Sequence, residues 1–197
     1  MRKTDYTYGL KLSWLLAVLF IMTDTLTAQE VTYSYATSEV SIDGASTLHA
    51  WKVEAPDVSG YPEEINFNAM GEGTIEDFGF QVAVATMDGG RGSSMNNKIY
   101  KALKSDAHPQ VSYKQEEGAA YGSDGSMTST GTLEMAGVSK SVSVDVVTAI
   151  ENDKITFTAS YPMKLSDFEI EPPSAMFGQI VTKDDIVVNF QFVYQKQ

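Results

Sequence analysis

Ile186-Val187-Val188-Asn189-Phe190-Gln191-Phe192 puts Ile186, Val188, Phe190 and Phe192 on one side of an extended chain and Val187, Asn189 and Gln191 on the other. Side chains alternate across a β-strand, so a period of two means one buried face and one wet face. The same step recurs throughout the chain. Val142, Val144 and Val146 alternate with Ser143 and Asp145, and Ile155, Phe157 and Ala159 with Thr156 and Thr158. Phe78, Phe80, Val82 and Val84 share a face, Ile65, Phe67 and Ala69 alternate with Asn66 and Asn68, and Val31, Tyr33 and Tyr35 with Thr32 and Ser34. Further strands are predicted around Val40–Ile42, Leu48–Val53, Val111–Lys114 and Met127–Met135. Half-buried strands of this kind make antiparallel sheet.

Polar or glycine-rich breaks separate the runs: Asp43-Gly44, Asp88-Gly89-Gly90, Gly122-Ser123-Asp124-Gly125, Glu151-Asn152-Asp153 and Lys183-Asp184-Asp185. Tyr121–Ser126 reads as a hairpin tip. With no long linker and no repeat of fixed period, the expected fold is all-β, an antiparallel β-barrel of about eight strands with one short helix. That helix is predicted between Ser93 and Lys104, where Met95, Ile99, Ala102 and Leu103 form one apolar stripe and Ser93 or Ser94 is placed to cap it. His108-Pro109 then forces extended chain into the strand at Val111. The helix is expected to plug or cover one barrel end.

Residues 1–28 stand apart. Arg2, Lys3 and Lys11 precede an apolar run from Leu12 to Met22, and small polar residues end at Ala28. A basic start, a short apolar core and a small final residue describe a secretory signal peptide. The run is far short of the roughly 20 apolar residues of a spanning helix, so no permanent membrane anchor is expected. With no cysteine in the chain, a lipoprotein-type anchor is excluded. The expected domains are a signal peptide over 1–28 and one barrel domain over 29–197, exported to the periplasm.

Residues 1–28 hold three basic and two acidic residues, which leaves 11 Lys+Arg against 24 Asp+Glu and a net charge of −13, against −12 for the whole chain. Such a surface repels phosphate backbones, so no nucleic-acid partner is expected. The absence of cysteine removes thiol catalysis and cysteine metal sites.

Catalytic signals are weak. His49 and His108 are the only histidines and lie in no metal-ligand spacing. The pairs Glu63-Glu64, Glu116-Glu117, Glu169 with Glu171, and Asp184-Asp185 fall in predicted turns or hairpin ends. Acid–base work needs one carboxyl in an apolar pocket, and solvated pairs do not provide it. No serine stands in Gly-x-Ser-x-Gly. The expectation is no enzyme, no metal and no cofactor. The inward aromatics are compatible with a filled interior or with one small ligand, and periodicity alone favours plain core.

Three segments, in order, resemble the YceI-like family of periplasmic polyisoprenoid-binding proteins. Met95–Lys104 leading to His108-Pro109-Gln110-Val111-Ser112-Tyr113 is similar to that family's helix and following strand. Gly131-Thr132-Leu133-Glu134-Met135-Ala136-Gly137-Val138-Ser139-Lys140-Ser141-Val142 resembles its hairpin. Leu165-Ser166-Asp167-Phe168-Glu169-Ile170, with Val181 and Asp184–Val188, resembles its closing segment. The glycine-rich segment departs: Val58-Ser59-Gly60-Tyr61 lacks the family's phenylalanine.

The resemblance implies a lipocalin-like barrel around an apolar tunnel that holds a polyisoprenoid or similar long-chain amphiphilic lipid without catalysis. The residues assigned to the tunnel are Trp51, Phe67, Phe78, Phe80, Leu103, Leu133, Met135, Phe157, Phe168 and Phe177. The headgroup end is expected near the helix or the loop carrying Pro172, Pro173 and Phe177. Besides the lipid, a second copy of the chain, as a homodimer, stays among the expected partners. The alternatives to a carrier are a filled barrel acting as an interaction module and, less favoured, an enzyme on a small apolar substrate.

Overall fold

The computed structural model describes residues 30–68, 74–120 and 125–197. The signal peptide read over 1–28, Ala69, and positions 121–124 of the hairpin tip lie outside the described residues.

The strands are β1 (Glu30–Ser46), β2 (Ala50–Glu54), β3 (Val58–Ser59), β4 (Glu64–Asn68), β5 (Thr74–Ile75), β6 (Gly79–Ala83), β7 (Gln110–Gln115), β8 (Ala119–Ala120), β9 (Ser126–Met135), β10 (Val138–Glu151), β11 (Lys154–Lys164), β12 (Ser174–Ala175) and β13 (Ile180–Lys196), with one α-helix, α1 (Ser93–Ala102). All pairings are antiparallel, and the main sheet runs β2-β1-β13-β11-β10-β9-β7-β6-β3. The sheet is strongly curled, and one stretch of chain draws its two edges together. β2 pairs with β1, and β3, four residues further on, pairs with β6. Between them Glu54 and Asp88 exchange two backbone hydrogen bonds of 2.9 Å, and the Ala83 amide donates to the Asp57 carbonyl at 3.2 Å.

The parity read from the sequence is the inward parity. Val82, Val84, Val142, Val144, Val146, Ile155, Phe157, Ile186 and Phe192 are all buried. Along β1 the parity switches. Tyr35 pairs with Tyr194 but Thr37 with Val193, so Ala36 is an extra residue, a bulge. Tyr33 is buried on one side of it and Val40 on the other, one odd and one even. What the sequence suggests as two strands, Val31–Tyr35 and Val40–Ile42, is therefore one bent strand.

Three local expectations are corrected. Asp43-Gly44 is not a turn but lies inside β1. Gly44 stands directly opposite Trp51, and a Cβ there would sit 2.1 Å from Trp51 Cζ2, so the glycine exists to let the indole lie on the strand. Lys183-Asp184-Asp185 does not end a strand either. β13 continues through it, and the ladder with β1 shifts register between the Gly44–Ile186 and Ser46–Thr182 pairs. The acids are satisfied locally: Ser166 donates its amide and hydroxyl to Asp184 at 2.8 and 2.6 Å, and Lys164 Nζ reaches Asp185 at 2.7 Å. The two bonds from Ser166 hold the Asp184 carboxyl below the usual carboxylate range. Finally, α1 begins after Gly92 with no side-chain cap, so neither Ser93 nor Ser94 caps it.

Turn chemistry elsewhere agrees with the sequence. β9 and β10 are joined by Ala136-Gly137, both at positive φ (54° and 85°), as a two-residue hairpin turn requires. A Cβ on Gly137 would also lie 2.5 Å from His108 Nε2, so this position is crowded as well as left-handed. Glu151-Asn152-Asp153 turns β10 into β11, with Asn152 at φ 54°.

Candidate functional site

One end of the curled sheet encloses a cavity of about 430 Å³. Its wall is built by the inward parity of the strands. Val40 and Ile42 come from β1, Trp51 and Val53 from β2, Phe80 and Val82 from β6, Val111 and Tyr113 from β7. Met127, Leu133 and Met135 come from β9, Val142, Val144 and Val146 from β10, Phe157 and Met163 from β11, and Ile186, Val188 and Phe190 from β13.

Helix α1 contributes one face to the lining. Ser94, Met95, Lys98, Ile99 and Ala102 all line the cavity, the spacing of a single helical face, and Leu103 follows at the C-cap. The helix is tied to the segment that leads into it. Tyr100 Oη donates to the Met87 carbonyl at 3.1 Å, and the Gly89 amide donates to Asn96 Oδ1 at 3.0 Å. A Cβ on Gly89 would lie 2.6 Å from Met95 Cγ, so this glycine sets how closely the helix approaches. The rim also carries Arg91 and His49, and no Asp or Glu is among the described lining residues.

Two polar side chains of the wall, Tyr113 and Gln115, are paired within it. Tyr113 Oη and Ser129 Oγ are 2.7 Å apart and buried. Burial pushes the Tyr113 phenol up, partly offset by its bond to Ser129. Gln115 accepts from the Phe78 amide at 3.1 Å and donates to the Ile75 carbonyl at 3.2 Å. The buried Trp51 Nε1 finds no hydrogen-bond partner among the described residues. Among the described residues no cluster of His, Asp and Glu could hold a metal ion, and no helix is long and apolar enough to cross a membrane.

The residues assigned from the sequence divide in three. Trp51, Phe78, Phe80, Leu103, Leu133, Met135 and Phe157 line the cavity together. Phe67 and Phe168 are buried at 1 % and 2 % exposure but lie off it, in packed core. Phe177 is fully exposed at the tip between β12 and β13, at φ 51°. The assigned set left out His49, Arg91, Lys98 and Phe190, all of which line the cavity. For Phe190 and for Lys98 the signal was present, since each shares a face with residues already assigned inward.

A model of the YceI-like domain matches residues 23–194. The chain belongs to the YceI-like family. Several solved structures are similar to this chain in fold. Burkholderia cenocepacia BcnA is 18% identical with a TM-score of 0.60, over 79% of this chain and 95% of BcnA. A polyisoprenoid binding domain from Saccharophagus degradans, implicated in plant cell wall breakdown, is 11% identical with a TM-score of 0.56, over 86% of this chain and all (100%) of that one. The Campylobacter jejuni YCEI protein is 16% identical with a TM-score of 0.53, over 99% of each chain. At these identities the structural likeness speaks for the fold. Among curated proteins nothing matches this YceI-like chain.

Proposed function

We propose that this YceI-like protein is a non-catalytic carrier for a polyisoprenoid or similar long-chain amphiphilic lipid, working in the periplasm after loss of residues 1–28. The observation that carries the reading is the cavity of about 430 Å³, walled by aliphatic and aromatic side chains and free of carboxylates among its described lining residues. Burying a methylene is worth about 0.8 kcal/mol, so a tail of about ten carbons gains roughly 8 kcal/mol before the costs of association. The tail enters beneath α1 and lies against Val142, Val144, Val146 and Phe190. The polar end stays at the rim, where Arg91, Lys98 and His49 suit a neutral or anionic headgroup better than a cationic one.

Displacement of an environment-sensitive apolar dye by a prenyl alcohol tests this. The unaltered protein should take up the dye and release it to the alcohol. Ile99→Asp, on the partly buried face of α1, should weaken both by tenfold or more while the circular-dichroism spectrum stays that of a β protein. An unaltered protein that takes up neither dye nor alcohol would refute the carrier reading.

A further inference from the structure

The cavity has a floor, and the floor is rigidly backed. Phe78, Phe80, Phe157 and Phe190 line the cavity, and each meets a ring behind it that does not. Ring centroids are 5.3 Å apart for Phe78–Phe192, 5.5 Å for Phe80–Phe192, 6.1 Å for Phe190–Phe192 and 5.8 Å for Phe157–Tyr194. Phe192 and Tyr194 are 0% exposed, and Tyr194 Oη donates to the Pro62 carbonyl at 2.9 Å, which fixes the last ring in place. Beyond them Tyr35 and Tyr61 stack at 3.9 Å. A chain entering under α1 therefore stops at the phenylalanines, because the interior beyond is close-packed.

The volume then sets a length. An apolar cavity of about 150 Å³ takes up one benzene, about six heavy atoms, so at the same filling a cavity of about 430 Å³ holds roughly 17 atoms. We propose that this protein is a chain-length ruler: it fully encloses a tail of about fifteen carbons, three isoprene units, with Phe78, Phe80, Phe157 and Phe190 as the stop. This deepens the carrier reading and rests on it. Carbons beyond the stop length stay outside the mouth. They face water in both the free and the bound state, so they add no affinity.

A ladder of prenyl alcohols tests the ruler by dye displacement: geraniol, farnesol, geranylgeraniol and geranylfarnesol, of about ten, fifteen, twenty and twenty-five carbons. Affinity should rise by about a hundredfold or more from geraniol to farnesol, since each buried methylene is worth about fourfold before the cost of ordering the tail. From farnesol onward it should change by less than about threefold. Two variants move the stop in opposite directions. Phe190→Ala removes a ring from the floor, which should carry the rise on to geranylgeraniol. Val144→Phe adds a ring to the wall, so its plateau should begin at geraniol. Val144→Phe fills existing space and keeps the test usable if Phe190→Ala does not fold. Affinity that keeps climbing to geranylfarnesol in the unaltered protein, or a plateau that stays put in folded variants, overturns the ruler and leaves the carrier reading intact. Binding of none of the alcohols overturns both.

Discussion

The two halves of the barrel interior are built from the same strands and end in opposite states. Toward the start of β1 and the end of β13, Tyr33, Tyr35, Tyr61, Phe67, Phe192 and Tyr194 interlock, with ring contacts from 3.9 Å to 6.5 Å. Toward α1 the same sheet presents Val40, Ile42, Val142, Val144 and Val146, and the space between them is open. Hydrophobic inward parity is common to both halves, so it does not decide between a core and a binding cavity. Side-chain size decides. β13 runs Ile186, Val188, Phe190, Phe192, Tyr194 from the open end to the closed one, and β1 runs the other way, from Tyr33 and Tyr35 to Val40, Ile42 and Gly44. The filled-barrel alternative thus describes half of the molecule. The packed half supplies the stability that lets the other half remain hollow.

Truncation should separate the halves most sharply. Phe192→Ala removes a fully buried ring from close packing and is expected to cost about 3–5 kcal/mol, read from the denaturant midpoint. Val144→Ala enlarges a space that is already open, so it should cost only the transfer term, about 1–1.5 kcal/mol. Equal costs would mean that the α1 half collapses around its wall in solution and is not hollow.

Alkaline pH sharpens the same comparison. Burial raises the Tyr194 phenol well above its ordinary value, a hydrogen bond with Tyr35 raises Tyr61, and burial raises Tyr113. Unfolded phenols ionise near pH 10. Above that the unfolded state gives up protons that the folded state retains. The stabilisation is therefore fully present below about pH 10 and is lost as pH rises through the folded values. The urea midpoint should hold from neutral pH to about 9 and fall steeply beyond 10. Tyr194 and Tyr61 belong to the packed half, so that half should loosen first. A midpoint unchanged at high pH would mean that these phenols are in reach of water.

The smallest effect belongs at the tip between β12 and β13. Phe177→Asp should change neither stability nor ligand affinity, because Phe177 is fully exposed and does not line the cavity. Leu103→Asp, at a buried lining position, should weaken binding tenfold or more. Equal losses in the two variants would bring the tip into the site.

The fold was legible because alternation over β6, β10, β11 and β13 leaves no other reading, and because Ala136-Gly137 and Glu151-Asn152-Asp153 carry real turn chemistry. Asp43-Gly44 misled for a physical reason. Asp-Gly is the usual hairpin signal, but here the glycine answers to Trp51 across the ladder, a contact invisible along the chain. Lys183-Asp184-Asp185 misled because its charges are satisfied by Ser166 and Lys164 from a neighbouring segment, so the strand runs on. Seven of the ten assigned tunnel residues do line the cavity: strand parity turns Trp51, Phe80, Leu133, Met135 and Phe157 inward, while Phe78 precedes β6 and Leu103 follows α1. Phe67 points inward as well, but into the packed half, and alternation alone cannot say where a packed interior gives way to a hollow one. Phe168 ends the 3-10 turn Leu165–Phe168, buried between Leu165 and Ile170, which line the cavity, and strand alternation does not govern it. Phe177 sits on a tip whose left-handed backbone, with Met176 and Gly178, turns it out to water.

The central claim is that the hollow half carries a lipid tail. The most direct measurement is native mass spectrometry of the protein purified without detergent, followed by solvent extraction of whatever it retains. The account predicts one amphiphilic molecule per chain, at near-stoichiometric occupancy, with an isoprenoid or other long apolar tail that Ile99→Asp no longer holds. A chain that leaves its native source consistently free of lipid, with no extractable tail, would contradict it.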